Sequence, residues 1–252
     1  FRRGVIPDAV YTFKHALVQD AAYDSLLKTR RQELHGKIAR VLEERFHAAE
    51  DTDPALLAHH LTAAALNEAA IPYWRRAGEL ALKRLALTGA ISHLTKGLEL
   101  VGSLPPSPER DGKELELRTL LGMAWMALRG WATPEIWSSL YPALALAESL
   151  GRNDALLPIL SGLCMNLHNQ GRVAEALQWM EKMLAAADAT GDVRLRFGAH
   201  VNAVVSYFWL GKLTTAREHG DKLLAFSGKA ERDRTALDGM ASSYATAMTS
   251  TG

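Results

Sequence analysis

Cysteine is almost missing from this sequence: Cys164 is the one thiol in 252 residues. A single thiol excludes an intrachain disulfide framework and a multi-cysteine zinc site, so helix or sheet packing has to carry the fold. Long apolar runs are missing too. The stretch 156–167 falls short of the roughly 20 residues that a membrane-spanning helix needs. The opening Phe1-Arg-Arg-Gly-Val-Ile-Pro lacks the apolar core of a signal peptide, so a cytoplasmic setting is expected. Nor is there an excess of charge: 29 basic against 28 acidic residues leave +1, too little for a global field that would draw in nucleic acid or an anionic membrane. The imbalance is local, with nine Lys and Arg against six Asp and Glu in residues 1–46.

Signatures of bond chemistry are equally scarce. Gly36-Lys37, Gly112-Lys113, Gly211-Lys212 and Gly228-Lys229 all lack the preceding glycine and following hydroxyl with which a P-loop cradles phosphate and magnesium. No His-Glu-x-x-His pair occurs. His59 and His60 are adjacent and on a helix diverge by about 100°, so at most one packs inward. Cys164 and His168 share a helix face at i, i+4 and invite a nucleophile-and-base reading. Cys164 nevertheless occupies a small, close-packing position, and no oxyanion-stabilising loop is recognisable, so a structural role is expected. No catalytic residue and no metal ligand is assigned.

What the sequence has in quantity is helical periodicity. Val10-Tyr11-Thr12-Phe13 is the one plausible strand. Helical patterns then run over 15–27, 29–46, 56–66, 69–85, 90–104, 114–128, 134–150, 155–169, 173–189, 193–210, 213–226 and 234–248. Asp53 reads as an N-cap with Pro54 in the first turn. The proline cluster Ser103-Leu-Pro-Pro-Ser-Pro-Glu-Arg is the best internal boundary. A basic stripe of Lys28, Arg30, Arg31, Lys37 and Arg40 is interleaved with Glu33, Glu43 and Glu44, the pattern of a solvated face or interdomain contact rather than a nucleic-acid site.

The second half also has a period. Gly130, Gly171, Gly211 and Gly252 stand 41, 40 and 41 residues apart, each ending an apolar helical run. In that register Leu160, Leu163, Cys164 and Leu167 overlie His200, Ala203, Val204 and Tyr207, and Ala176, Met180 and Met183 overlie Ala216, Gly220 and Leu223. A clearer copy lies earlier: Trp74-x2-Ala77-Gly78-x2-Ala81, then Ala90-x3-Leu94-x2-Gly97. Gly89 also lies 41 residues before Gly130, a spacing read as coincidence because it falls at the start of a helix in this copy. The pattern resembles the tetratricopeptide repeat, in which small residues let paired helices approach closely. Its period exceeds that family's typical length of about 34 and reaches the range of HEAT and armadillo repeats. The region 122–143 fits badly, with Gly122 one place from the small position and Pro134 opening the second helix. Either way the expected fold is all-α, an α-solenoid of antiparallel helix pairs, tetratricopeptide-like, with a short strand at the N-terminus.

Tyr11-Thr-Phe-Lys-His-Ala-Leu-Val-Gln-Asp-Ala-Ala-Tyr-Asp-Ser-Leu-Leu followed by Arg30-Arg-Gln-Glu-Leu-His is the most specific string in the chain. It resembles the segment that follows the ATPase module in bacterial signalling ATPases of the STAND and AAA type, including multidomain adenylate/guanylate cyclases and transcriptional regulators with tetratricopeptide tails. Leu57-Ala-His-His-Leu, Ala70-Ile-Pro-Tyr-Trp-Arg-Arg-Ala-Gly and Leu104-Pro-Pro-Ser-Pro-Glu-Arg are similar to the same cyclase-linked proteins. The resemblance implies three segments: 1–47, the end of a winged-helix-like module with its following helices; 48–104, a first helical repeat region; and 105–252, tetratricopeptide-like repeats cut at the C-terminus. It places His15 like the sensor histidine of related switch ATPases, able to donate to a nucleotide phosphate in the parent; the alternative is a helix-capping or wing-internal histidine. ATP or ADP and magnesium are implied for the parent, and no cofactor for this chain. The absent initiator methionine and the ending on Ser-Thr-Gly after an apolar pattern read as a piece of a longer protein.

The implied function is a non-catalytic sensor and scaffold segment that binds a protein or peptide partner and couples it to the upstream nucleotide switch. Alternatives are the regulatory region of an adenylate/guanylate cyclase or of a transcriptional regulator. A solenoid offers a partner the face of its first helices, here Ser161, Met165 and His168, then Val201, Val205, Phe208 and Trp209. No array of Lys, Arg and Asn stands there to clamp a carboxylate, so an apolar segment, or another domain of the parent, is the expected partner of Met165, His168, Val205, Phe208 and Trp209. Interhelix packing of those aromatics is the alternative.

Overall fold

The computed structural model describes residues 2–3, 10–11, 15–48 and 53–230. Arg2–Arg3 (β1) and Val10–Tyr11 (β2) pair antiparallel, with Arg2 opposite Tyr11. The strand expected at Val10 begins there, while Thr12 and Phe13 lie outside the described residues. The elements described after β2 are all helices: α1 (Ala16–Asp24), α2 (Lys28–Ala48), α3 (Pro54–Ala63), α4 (Asn67–Lys83), α5 (Leu87–Gly102), α6 (Pro108–Arg129), α7 (Pro134–Ser149), α8 (Asn153–Asn169), α9 (Val173–Thr190), α10 (Val193–Trp209) and α11 (Leu213–Ala230). Each corresponds to one periodic block of the sequence. The expected helix over 234–248, and Gly252, fall outside the described residues.

The chain forms two compact units, divided between Lys113 and Glu114 inside α6, a few residues beyond the proline cluster. In the first unit α2, α3, α4 and α5 pack each on the next. Asp53 caps α3 as its sequence requires, its carboxylate accepting from the Ala55 amide at 3.0 Å with Pro54 in the first turn. Gly78 on α4 faces Leu94 on α5 so closely that a Cβ would stand 2.6 Å from the Leu94 Cγ. Small residues at that position are thus what allows the two helices to meet. Trp74, Ala77, Ala90 and Leu94 are all buried around this contact, and the Trp74 indole N–H donates to Thr62 Oγ1 at 3.0 Å.

In the second unit α7, α8, α9, α10 and α11 again pack in sequence, and α8 also touches α10, two helices on. That skip contact between alternate helices is the mark of a solenoid-like succession of antiparallel pairs, because only stacked pairs bring like helices together. The core runs continuously through Ile136, Leu140, Ile159, Leu163, Met183 and Leu195.

Turns set the period. Left-handed residues occur at Gly130, Gly151, Gly171, Gly191 and Gly211, one every 20 or 21 residues, so a helix pair spans about 40. The 40-residue glycine register of the sequence picks out alternate turns and passes over Gly151 and Gly191. At Gly171 the Arg172 amide donates to Leu167 O at 2.9 Å and the Gly171 amide to His168 O at 3.0 Å, a Schellman closure. The same pair of bonds closes turns at Gly151, Gly211, Ala65 and Leu85. Gly89 sits within α5 at no turn, so its spacing to Gly130 is indeed without structural meaning.

Candidate functional site

The first helices of successive pairs in the second unit, α6, α8 and α10, converge on a cavity of about 500 Å³. Glycine creates the convergence. Gly122, Gly162 and Gly198 all line it, and a Cβ on them would stand 2.6 Å, 2.4 Å and 2.4 Å from the side chains of Leu140, Leu140 and Leu157. Gly122, the misfit of the repeat register, therefore serves the same close approach as its counterparts. The wall is built from Met123, Met126, Trp131, Met165, Phe197 and Val201. Its polar members among the described residues are Thr119, Ser161 and Asn202, and none of the described residues that line it is charged. The Thr119 hydroxyl is spent on Leu115 O at 2.8 Å.

The sequence-derived partner residues divide between this cavity and its neighbourhood. Ser161, Met165 and Val201 line it. Met165, His168, Val205 and Trp209 line a second hollow of about 510 Å³ that continues toward the C-terminal end of α10. Phe208 lines neither and stands 59% exposed, with Trp209 70% exposed beside it and their rings edge-on at 6.0 Å. Leu210 and Leu213 extend the exposed apolar surface across the turn. Phe208 and Trp209 are therefore not consumed by interhelix packing.

His168 is turned inward. Its Nδ1 lies 2.9 Å from Cys164 O and its Nε2 2.5 Å from Ser206 Oγ. A carbonyl only accepts, so Nδ1 carries the proton. Burial holds the ring's pKa below the usual 6.5, which leaves Nε2 of the neutral ring as an acceptor. The Ser206 hydroxyl then donates to the nearer Nε2 rather than to Asn202 O, which lies 2.8 Å away. Cys164 is wholly buried, its Sγ directed at Ala176 O, and burial pushes the thiol up to about 12. The two side chains on one helix face thus never meet as nucleophile and base: the imidazole bonds the Cys164 carbonyl, and a thiol at about 12 stays protonated near neutral pH.

His15 occupies the N-cap of α1 with extended backbone; its side chain is exposed and makes no capping hydrogen bond. On the basic stripe, Arg30 pairs with Glu33 at 2.9 Å, and Arg31 pairs with Asp24 at 3.3 Å and lies over the Tyr23 ring. His60 does turn inward while His59 stays exposed. Its Nδ1 is 2.8 Å from Nδ1 of His35, which in turn meets Tyr23 OH at 3.0 Å through Nε2. Among the described residues no group of three or more His, Cys, Asp or Glu side chains is arranged to hold a metal ion.

Sequence reasoning missed Trp131, Phe197, Met123 and Met126 as cavity residues. The local signal for them was weak, because the helices that bring them together are separated by loops whose geometry the periodicity does not contain. It also missed His35, which faces His60 from 25 residues away.

No helix among the described residues is long and apolar enough to cross a membrane. No family model matches the chain. The chain is similar to an uncharacterized protein of Rhizobium meliloti (strain 1021), 31% identical over 112 residues, which are 44% of this chain and 11% of that protein. The matched stretch is therefore a small part of a relative about a thousand residues long.

Proposed function

We propose that this chain is a non-catalytic binding and relay segment of a multidomain bacterial signalling ATPase, its helix pairs tetratricopeptide-like repeats. It captures an apolar segment of a protein partner on the C-terminal end of α10 and passes that occupancy to the upstream nucleotide switch. The observation that carries the reading is the exposed aromatic pair Phe208 and Trp209, flanked by Val205, Met165, Leu210 and Leu213. Exposed aromatics grouped beside a hollow are what helix-in-groove and hot-spot recognition use, since a ring desolvates a large area at low entropic cost. The great length of the Rhizobium relative supports a multidomain parent. Exposed Leu17, Val18 and Leu27 on and beside α1 support a neighbouring domain against the first unit. In the parent, His15 would donate to a phosphate of bound ADP or ATP, with magnesium held by the ATPase module. His15→Ala in the full-length parent should then change ADP release; unchanged release rejects that role.

Selection of displayed random peptides against the whole chain tests the capture surface. Enriched peptides should carry Leu, Phe or Trp at helical spacing, and the Phe208→Ala, Trp209→Ala double variant should weaken them about tenfold or more with unchanged helicity. Absence of enrichment, or affinity untouched by the double variant, sinks the reading.

A further inference from the structure

Asn202 sits in the wall of the 500 Å³ cavity and is 1% exposed. Its Nδ2 donates to Gly198 O at 2.8 Å. That carbonyl can only accept, so the orientation of the amide is settled: the atom facing it is the NH2, and the other is the acceptor Oδ1. Among the described residues Oδ1 has no hydrogen-bond partner. A buried amide oxygen without a donor is costly, and native folds rarely keep one without a use.

We infer that this cavity is a binding site for a small, neutral, mainly apolar molecule carrying one hydroxyl or N–H donor, which Asn202 Oδ1, covered in the empty cavity, receives once the side chains over it move aside. Size, charge and polarity each narrow the ligand. A volume of about 500 Å³ lies in the range of small-molecule sites. A wall of methionine and aromatic side chains with no charged residue among those described leaves an ionic ligand without a counter-charge there and would impose a desolvation cost on it. An extended peptide brings a donor and an acceptor with every residue, whereas the described wall, with its Thr119 hydroxyl and the Asn202 NH2 engaged, leaves the Ser161 hydroxyl and Asn202 Oδ1 to meet them. A compact apolar molecule with one donor leaves no such groups stranded. Met123, Met126 and Met165 give the site adaptable walls, and the three glycines keep its floor at backbone level. The site is separate from the capture surface proposed above: Phe197, Val201 and Asn202 lie one to three turns before Phe208 and Trp209 on α10, and Met165 alone is shared.

The probes 1-naphthol and 1-methoxynaphthalene differ by the one donor and test the inference on the whole chain. The naphthol should bind about tenfold more tightly, the effect of satisfying one buried acceptor, and should shift the methyl resonances of Met123, Met126 and Met165. In Asn202→Leu the two probes should bind equally, and in Val201→Trp neither should bind. The Phe208→Ala, Trp209→Ala variant should leave probe binding unchanged, so loss of peptide capture and loss of this site are told apart. Equal binding of the two probes to the unaltered chain, no binding, or methyl shifts confined to other methionines would overturn the inference without calling on any variant to fold.

Discussion

His168 Nε2 and Ser206 Oγ meet at 2.5 Å, joining α8 to α10 across 38 residues of sequence. Both side chains are buried, so the bond is a fixed strut between the first helices of consecutive pairs. Ser206→Ala would leave Nε2 buried with nothing to accept from. The expected loss is about 1–3 kcal/mol, read as a shift of the urea midpoint. His168→Leu placed on top of Ser206→Ala should restore part of it, because two apolar neighbours strand no polar atom. A double variant no better than the single one would mean that the strut is not what Ser206 supplies.

Histidines make the second unit sensitive to acid. His200 Nδ1 lies 3.0 Å from His219 Nδ1, an arrangement that needs one ring to donate and the other to accept. Burial first, then His219, Lys222 and Arg196, lower His200 from 6.5 to about 4; burial and Lys222 lower His219 against an opposing pull from Glu218. Burial lowers His168 too. A histidine whose pKa is lower folded than unfolded leaves the unfolded chain binding more protons, so its stabilising effect is complete above about 6.5 and is lost as pH falls toward about 4. Melting temperature should be flat from pH 8 to 7 and fall steadily below about 6.5. The His200→Gln, His219→Gln double variant should flatten that fall. A melting temperature that rises on acidification would contradict the assignment.

Turn chemistry shows how far the sequence could be read. Gly130, Gly171 and Gly211 announced themselves because glycine is the residue that enters left-handed backbone without strain. Ala65 and Leu85 close the same Schellman turns at φ of 60° and 58°, and neither residue type signals it. The helices were legible because burial repeats every three to four residues within each one. The cavity was not: Trp131, Gly162 and Phe197 come from three separate segments, and no spacing along one helix records which faces converge. Phe208 and Trp209 were visible as adjacent aromatics, but adjacency does not say whether rings pack inward or stand in solvent. The orphaned oxygen of Asn202 depends on which carbonyl its NH2 meets, a property of geometry alone.

Leu85 follows from the same turn. It is 79% exposed at φ of 58°, so its side chain gains little burial in return for left-handed strain. Leu85→Gly should raise stability by about 0.5–1 kcal/mol, the strain relieved less the extra freedom of glycine in the unfolded chain. Gly171→Ala, at φ of 76°, should lower it by about 1 kcal/mol. Equal and opposite signs in denaturant titrations would establish that the backbone, not a contact, governs both positions.

Close approach at glycine gives a graded prediction, because the consequence of adding a methyl group depends on what it strikes. At Gly78 a Cβ would meet both Cγ and Cδ2 of Leu94 at 2.6 Å. Cγ is the branch point of a side chain that is fully buried between α4 and α5, so it cannot swing away without moving the core or spreading the helices. Gly78→Ala should therefore cost about 1–3 kcal/mol, the usual effect of overpacking, despite the better helix propensity of alanine. At Gly162 the one close atom among the described residues is Cδ1 of Leu140 at 2.4 Å, with Cγ at a comfortable 3.9 Å. Rotation of one methyl group into the adjoining cavity would clear it, and the propensity gain of about 1 kcal/mol then offsets the adjustment. Gly162→Ala should leave stability within about 0.5 kcal/mol of the unaltered chain while narrowing the cavity. Matching losses at both glycines would show that Leu140 is held as rigidly as Leu94 and that the cavity gives it no room to move.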